Sequence, residues 1–233
     1  MTMMDLPGGA ISRRPLRFYW VLDVSGSMAG EKIDRLNFAI REALPAMRDS
    51  AAENPYAAVE VRVLTFSTGC QWVTPGPVPV EDFNWTGVPV NGITDMGAAM
   101  KAMAKELSVR NMPERGLRPV VVLVSDGQPT DDFDSGFDAL MAEPWGKRAL
   151  RMAIAIGDDA DLDPLRKFIG HQEVEPLQAR NSPDLVKYIR YVSTTVLKSA
   201  SAPASRTVTV PSDGTPTPPP PPPAADPDAD AVW

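Results

Sequence analysis

The stretch "RPVVVLVSD", residues 118–126, constrains this chain more than any other. Val120–Val124 are all branched aliphatics, so neither face of an extended strand here is polar. A strand buried on both sides belongs to a sheet covered by helices on both faces, which is the situation of parallel sheets. "LRFYWVLDV" (16–24) and "RALRMAIAIG" (148–157) have the same character. "AVEVRVLTFS" (58–67) alternates and then turns apolar, and "VEPLQA" (174–179) reads as a short final strand. "CQWVTPGPVPVEDF" (70–83) carries three prolines, which exclude a central place and predict a short edge strand.

Between these strands the apolar spacing becomes helical. Ile33, Leu36, Ile40, Leu44 and Met47 share one face, with Pro45 expected to kink or shorten that helix. Met96, Met100, Met103 and Leu107 form a stripe that reads as core. "DPLRKFIG" (163–170) predicts a helix with Asp163 as N-cap, Pro164 in the first turn and Gly170 past its end. "NSPDLVKYIRYVSTTVL" (181–197) predicts a helix capped by Ser182. The order β-α-β-β-α-β-α-β-α-β-α gives an α/β class: a doubly wound, mostly parallel Rossmann-like sheet with helices on both faces.

Three parts are expected along the chain. Residues 1–15 form a flexible N-terminal lead, 16–199 the folded domain, and 200–233 a disordered Pro-rich tail. The tail has almost no large apolar residues until its end, so burial does not offset the entropy of ordering it. Its run of six consecutive prolines, 218–223, favours polyproline II, either as a ligand for an SH3- or WW-like groove or as a solvated spacer. No apolar run approaches the ~20 residues of a membrane span and the N-terminus lacks a signal-peptide pattern, so a soluble, cytoplasmic protein is expected. With 30 acidic against 23 basic residues, broad nucleic-acid binding is disfavoured. The single cysteine and single histidine exclude an internal disulfide and a cysteine zinc site, and count against a Ser-His-Asp triad.

In doubly wound sheets, ligands sit beyond the carboxyl ends of the strands. "DVSGSM" places Asp23, Ser25 and Ser27 there at alternate positions, and "VSDGQPTDD" brings Asp126 to the same edge. "NGITDMG" precedes a helix, so Thr94 belongs to a loop able to reach it. Two carboxylates and three hydroxyls are hard oxygen donors, suited to Mg²⁺ or Mn²⁺ and less to Ca²⁺. Each element alone has a plainer reading: a turn with local hydrogen bonds for Asp23–Ser27, a turn signal for "SDG", a helix cap for Thr94. A 2+ ion held by two carboxylates and neutral hydroxyls is charge-balanced and keeps an open position for a partner's carboxylate. That favours an adhesion site over a hydrolytic centre.

These motifs resemble the von Willebrand factor A domain and its metal-ion-dependent adhesion site, over about residues 16–197. More closely, "YWVLDVSGSMAGEKID", "GITDMGAAM", "PVVVLVSDGQPTDD" and "ADLDPLRKF" resemble the bacterial TerY-like tellurium-resistance proteins. The resemblance implies one antiparallel edge strand and a metal site of Asp23, Ser25, Ser27, Thr94 and Asp126, with Mg²⁺ as cofactor. It implies a non-catalytic module in a bacterial stress-response complex, whose protein partner supplies a Glu or Asp carboxylate and is a kinase, a phosphatase or a TerD-like protein. Asp95 falls outside the ligand set, at a helix start where it suits capping.

Two other classes compete. "LDVSGS" is superficially like phosphatases that open a sheet with an Asp nucleophile, but the second acid they need two positions on is Ser25 here, and no lysine is evident in a matching role. Similar domains also serve as subunits of MoxR- or chelatase-like ATPase complexes; this chain has no Gly-x-x-x-x-Gly-Lys-Ser/Thr loop, so the ATPase would be a separate polypeptide.

Overall fold

The computed structural model describes residues 12–201 and 219–223. The lead expected for 1–15 falls mostly outside the described residues, as does most of the tail expected for 200–233. In chain order the elements are β1 (Arg14–Asp23), a 3₁₀ turn (Gly26–Met28), α1 (Glu31–Ala52), β2 (Ala57–Ser67), β3 (Gly69–Trp72) and β4 (Val78–Pro79). There follow α2 (Met96–Glu106), β5 (Val120–Ser125), α3 (Phe133–Ala142), α4 (Pro144–Arg148), β6 (Leu150–Ile156), α5 (Leu162–Ile169), β7 (Leu177–Ala179) and α6 (Ser182–Tyr191). A π-type turn, Val192–Val196, leads into α7 (Leu197–Ser201).

The strands form one sheet in the order β3-β2-β1-β5-β6-β7, with β4 also pairing to β2. β1, β2, β5, β6 and β7 are parallel; β3 and β4 run antiparallel to β2. The Pro-rich segment after Cys70 therefore makes two short edge strands instead of one. From β1 the chain proceeds to β2 on one side and later to β5 on the other, so the strand order reverses between β1 and β5. That is where a doubly wound sheet opens a crevice at its carboxyl ends.

The alternation of β1 divides the core. Phe18, Trp20 and Leu22 face α1 and α6, packing with Leu36, Ile40, Leu185 and Ile189. Tyr19 and Val21 face the other layer, with Met100, Met103, Leu140, Leu165 and Phe168. Met96, Met100, Met103 and Leu107 are all fully buried, as the stripe predicts.

Three local expectations are corrected. Helix α1 runs through Pro45 to Ala52, because Leu44, Met47 and Ala51 stay in the core on the far side of the proline. Helix α5 is capped by Asp161, whose side chain accepts from Asp163 N–H at 3.1 Å, so Asp163 lies inside the first turn. Helix α6 is capped by Asn181, which has the extended backbone a cap requires (φ −149°) and accepts from Asp184 N–H at 2.8 Å. Ser182 is its first helical residue.

Candidate metal site

Because β1 and β5 are adjacent, with Leu22 opposite Val124, Asp23 and Asp126 leave the sheet side by side. Both are buried, at 0% and 3% exposure. Asp23 Oδ2 accepts from Ser125 Oγ at 2.6 Å and Oδ1 from Ser25 N–H at 2.9 Å. Burial still raises the Asp23 pKa above the ordinary carboxylate value; the bonds from Ser125 and Ser25 oppose the shift, and the Asp126 charge adds to it.

Asp126 is satisfied on one side only. Its Oδ2 lies 3.8 Å from Lys32 Nζ, which reaches over from the first turn of α1 and also approaches Asp159 at 3.4 Å. Among the described residues, Asp126 Oδ1 is buried with no hydrogen-bond partner. A carboxylate oxygen removed from water without a donor is costly, and a bound cation is one of the few groups that compensates it. The sequence reading found no lysine for this region, and the structure puts Lys32 there.

Ser25 is buried and Ser27 exposed, with their hydroxyl oxygens 3.0 Å apart at the rim. Thr94 is buried in the loop that opens α2. That loop is bonded to the first one, Gly26 N–H to Gly92 O at 2.9 Å and Asn91 N–H to Val24 O at 2.7 Å. It is bonded to the third by a reciprocal pair: Thr94 N–H to Thr130 Oγ1 at 3.1 Å and Thr130 N–H to Thr94 O at 2.8 Å. The three loops that carry Asp23, Ser25, Ser27, Thr94 and Asp126 are thus joined into one rim.

The surrounding acids have structural work. Asp95 stands at the α2 N-cap but its side chain does not cap the helix; it accepts from Gly69 N–H at 2.7 Å and Thr130 Oγ1 at 3.3 Å. Asp131 takes over, accepting from Gly97 and Ala98 N–H at 2.7 and 2.8 Å, and Asp132 caps α3 through Ser135 N–H at 3.0 Å. Gly97 and Gly136 hold α2 against α3: a Cβ on Gly136 would lie 2.3 Å from Gly97 O. Gly127 has φ +76° and no room for a side chain beside Asp161 O, and the Asp161 backbone N–H donates to Asp126 O at 2.8 Å.

Among the described residues, no group of three or more His, Cys, Asp or Glu is arranged for a metal. A hard-ion site here has to draw on hydroxyls, and the Asp23–Ser25–Ser27–Asp126 cluster with Thr94 in the adjoining loop is the set that fits one. Ser125, Lys32 and Thr130 escaped the sequence reading. Ser125 was visible as the polar end of an apolar strand, whereas no local signal marks the other two.

No protein-family model matches the sequence, and a search of curated proteins gives no match. Solved structures do match in fold. The von Willebrand factor type A protein from Catenulispora acidiphila superposes with TM-score 0.59 at 16% identity, covering 78% of this chain and 42% of that one. The ArnB paralog VWA2 from Sulfolobus acidocaldarius gives 0.55 at 15% identity, with coverage of 76% and 45%. The pilus adhesin SpaC from Lactobacillus rhamnosus GG gives 0.62 at 12% identity, with coverage of 77% and 30%. The chain spans less than half the length of each of these three. No helix among the described residues is long and apolar enough to cross a membrane. Strand order, the antiparallel edge and these superpositions together show that the chain has the von Willebrand factor A fold.

Proposed function

We propose that this chain is a non-catalytic interaction module that binds an acidic group of a protein partner through a divalent cation. Asp23, Ser25, Ser27, Thr94 and Asp126 hold the ion, Mg²⁺ being the best match to an all-oxygen donor set and Mn²⁺ or Ca²⁺ the alternatives. The observation that carries this reading is the buried Asp126 Oδ1, without a hydrogen-bond partner among the described residues, close enough to Asp23 for the two charges to interact. When bound, the ion supplies a positive centre with an open position for an external carboxylate. The chain's own residues do the rest. Ser125 holds Asp23 in place, Lys32 balances charge on Asp126, and the Thr94–Thr130 pair keeps the rim closed.

Hydrolysis is disfavoured because the position two residues after Asp23 is a hydroxyl and has no acid to protonate a leaving group. The setting we assign, following the TerY-like motifs, is a cytoplasmic bacterial stress-response complex of the tellurite-resistance type with a kinase, a phosphatase or a TerD-like protein. The test is calorimetric titration of Mg²⁺ into the chain, paired with partner capture from the native host in Mg²⁺ and in EDTA. Saturable Mg²⁺ binding that Asp23→Ala removes, with capture lost in EDTA, supports the reading. Capture that survives both Asp23→Ala and EDTA overturns it.

A further inference from the structure

At the β7 end of the sheet, the five described prolines Pro219–Pro223 lie against the domain and line an open cleft of about 620 Å³. Met152, Leu177, Tyr188 and Tyr191 form much of its opposite wall. Two donors on α6 reach the proline backbone: Tyr191 Oη donates to Pro219 O, and Lys187 Nζ donates to Pro223 O. Residues 187 and 191 are one helical turn apart and share a face, so the segment runs antiparallel to α6.

The burial of the prolines has its own period. Pro219 and Pro222 are half-buried, while Pro220, Pro221 and Pro223 are exposed. A repeat of three is that of polyproline II, which presents the same face every third residue. Its carbonyls have no internal partner, so they are free to accept from side chains, and aromatic-lined grooves with such donors are how this conformation is recognised. From first to last carbonyl the segment spans about 12 Å at ~3.1 Å per residue, within the reach of a Tyr and a Lys splayed from neighbouring turns. Burial of Tyr191 raises its pKa to about 12, which keeps the phenol protonated and able to donate at neutral pH.

We propose that the cleft between β7 and α6 is a polyproline-recognition site, and that the chain's own Pro219–Pro223 segment is its resident ligand, held in cis. The run is thereby a ligand for its own domain and not only an offered peptide or a spacer. The tether, residues 202–218, holds it at an effective concentration in about the millimolar range. A Pro-rich peptide from elsewhere must compete with it.

The experiment compares the full chain with a full-length variant in which residues 218–223 are replaced by alternating Gly and Ser. Amide spectra of both are followed during titration with a synthetic hexaproline peptide. The variant is expected to differ from the parent at the amides of Gln178, Tyr188 and Tyr191, and to bind the peptide saturably with shifts at those residues. The parent is expected to bind it at least about tenfold more weakly. Tyr191→Phe in the Gly-Ser background is expected to weaken peptide binding about fivefold, the effect of one lost hydrogen bond. Identical parent and variant spectra, absence of peptide binding to the variant, or parent shifts that depend on protein concentration (the tail then docking on a second copy) would each overturn the proposal.

Discussion

Ser125 donates its hydroxyl to Asp23 Oδ2 at 2.6 Å, linking the ends of two adjacent strands through fully buried side chains. The same hydroxyl accepts from Gly127 N–H at 2.9 Å. Ser125→Ala therefore leaves a buried carboxylate oxygen and a buried amide without partners. It is expected to cost about 1–3 kcal/mol of stability in urea unfolding and to weaken Mg²⁺ binding in parallel. Unchanged stability would mean that the Asp23 carboxyl is held by something other than this bond.

The raised Asp23 pKa sets a pH dependence. A carboxyl whose pKa rises on folding holds its proton more tightly in the folded state, so its stabilising contribution is complete below the ordinary value of 3.8 and is lost as pH rises through the raised value. Thermal unfolding in EDTA across about pH 4–8 should show this decline as the difference between the parent and Asp23→Asn. Saturating Mg²⁺ should reverse the slope, because the ion competes with the proton for the same oxygens. A parent and variant with parallel profiles would remove Asp23 as the linked group.

Helices α2 and α3 touch through glycines, and a Cβ on Gly136 would lie 2.3 Å from Gly97 O. Gly136→Ala is expected to cost about 1–3 kcal/mol by forcing the helices apart, although alanine is the better helix former. Because α2 begins immediately after the Thr94 loop, metal affinity should fall with stability. A stabilised Gly136→Ala would show that the helices separate freely.

Pro45 is exposed, in the interior of α1, and lacks the N–H that would bond Arg41 O. Pro45→Ala is expected to stabilise the chain by about 1–2 kcal/mol, the helix gain of ~3 being reduced by the greater freedom of the unfolded chain. Loss of stability would indicate that Pro45 contributes more to the fold than the missing N–H costs the helix.

The parallel core and the two acids at its carboxyl edge were legible because they are written in contiguous runs. Val120–Val124 could only be a doubly covered strand, and Asp23 and Asp126 each stand at the end of such a run. Lys32 was not legible: it sits on a helix otherwise read for its apolar face, and its approach to Asp126 depends on how α1 crosses the sheet. Asp161 and Asn181 were passed over as caps because each has another plausible cap within two positions, and only the backbone conformation decides between them. The seating of Pro219–Pro223 was beyond local reading for the same reason as Lys32. Its partners, Lys187 and Tyr191, lie on a helix whose pattern announces only a buried stripe.

The backbone bonds from Gly26 N–H to Gly92 O and from Thr130 N–H to Thr94 O tie the three loops together through main-chain groups of the protein itself. If the proposed cation binds there, chelating it should leave a folded protein with the loops still joined, unlike small zinc domains that collapse on chelation. On that reading, loading would carry little ordering entropy, and the site would fill and empty without the chain passing through an unfolded form.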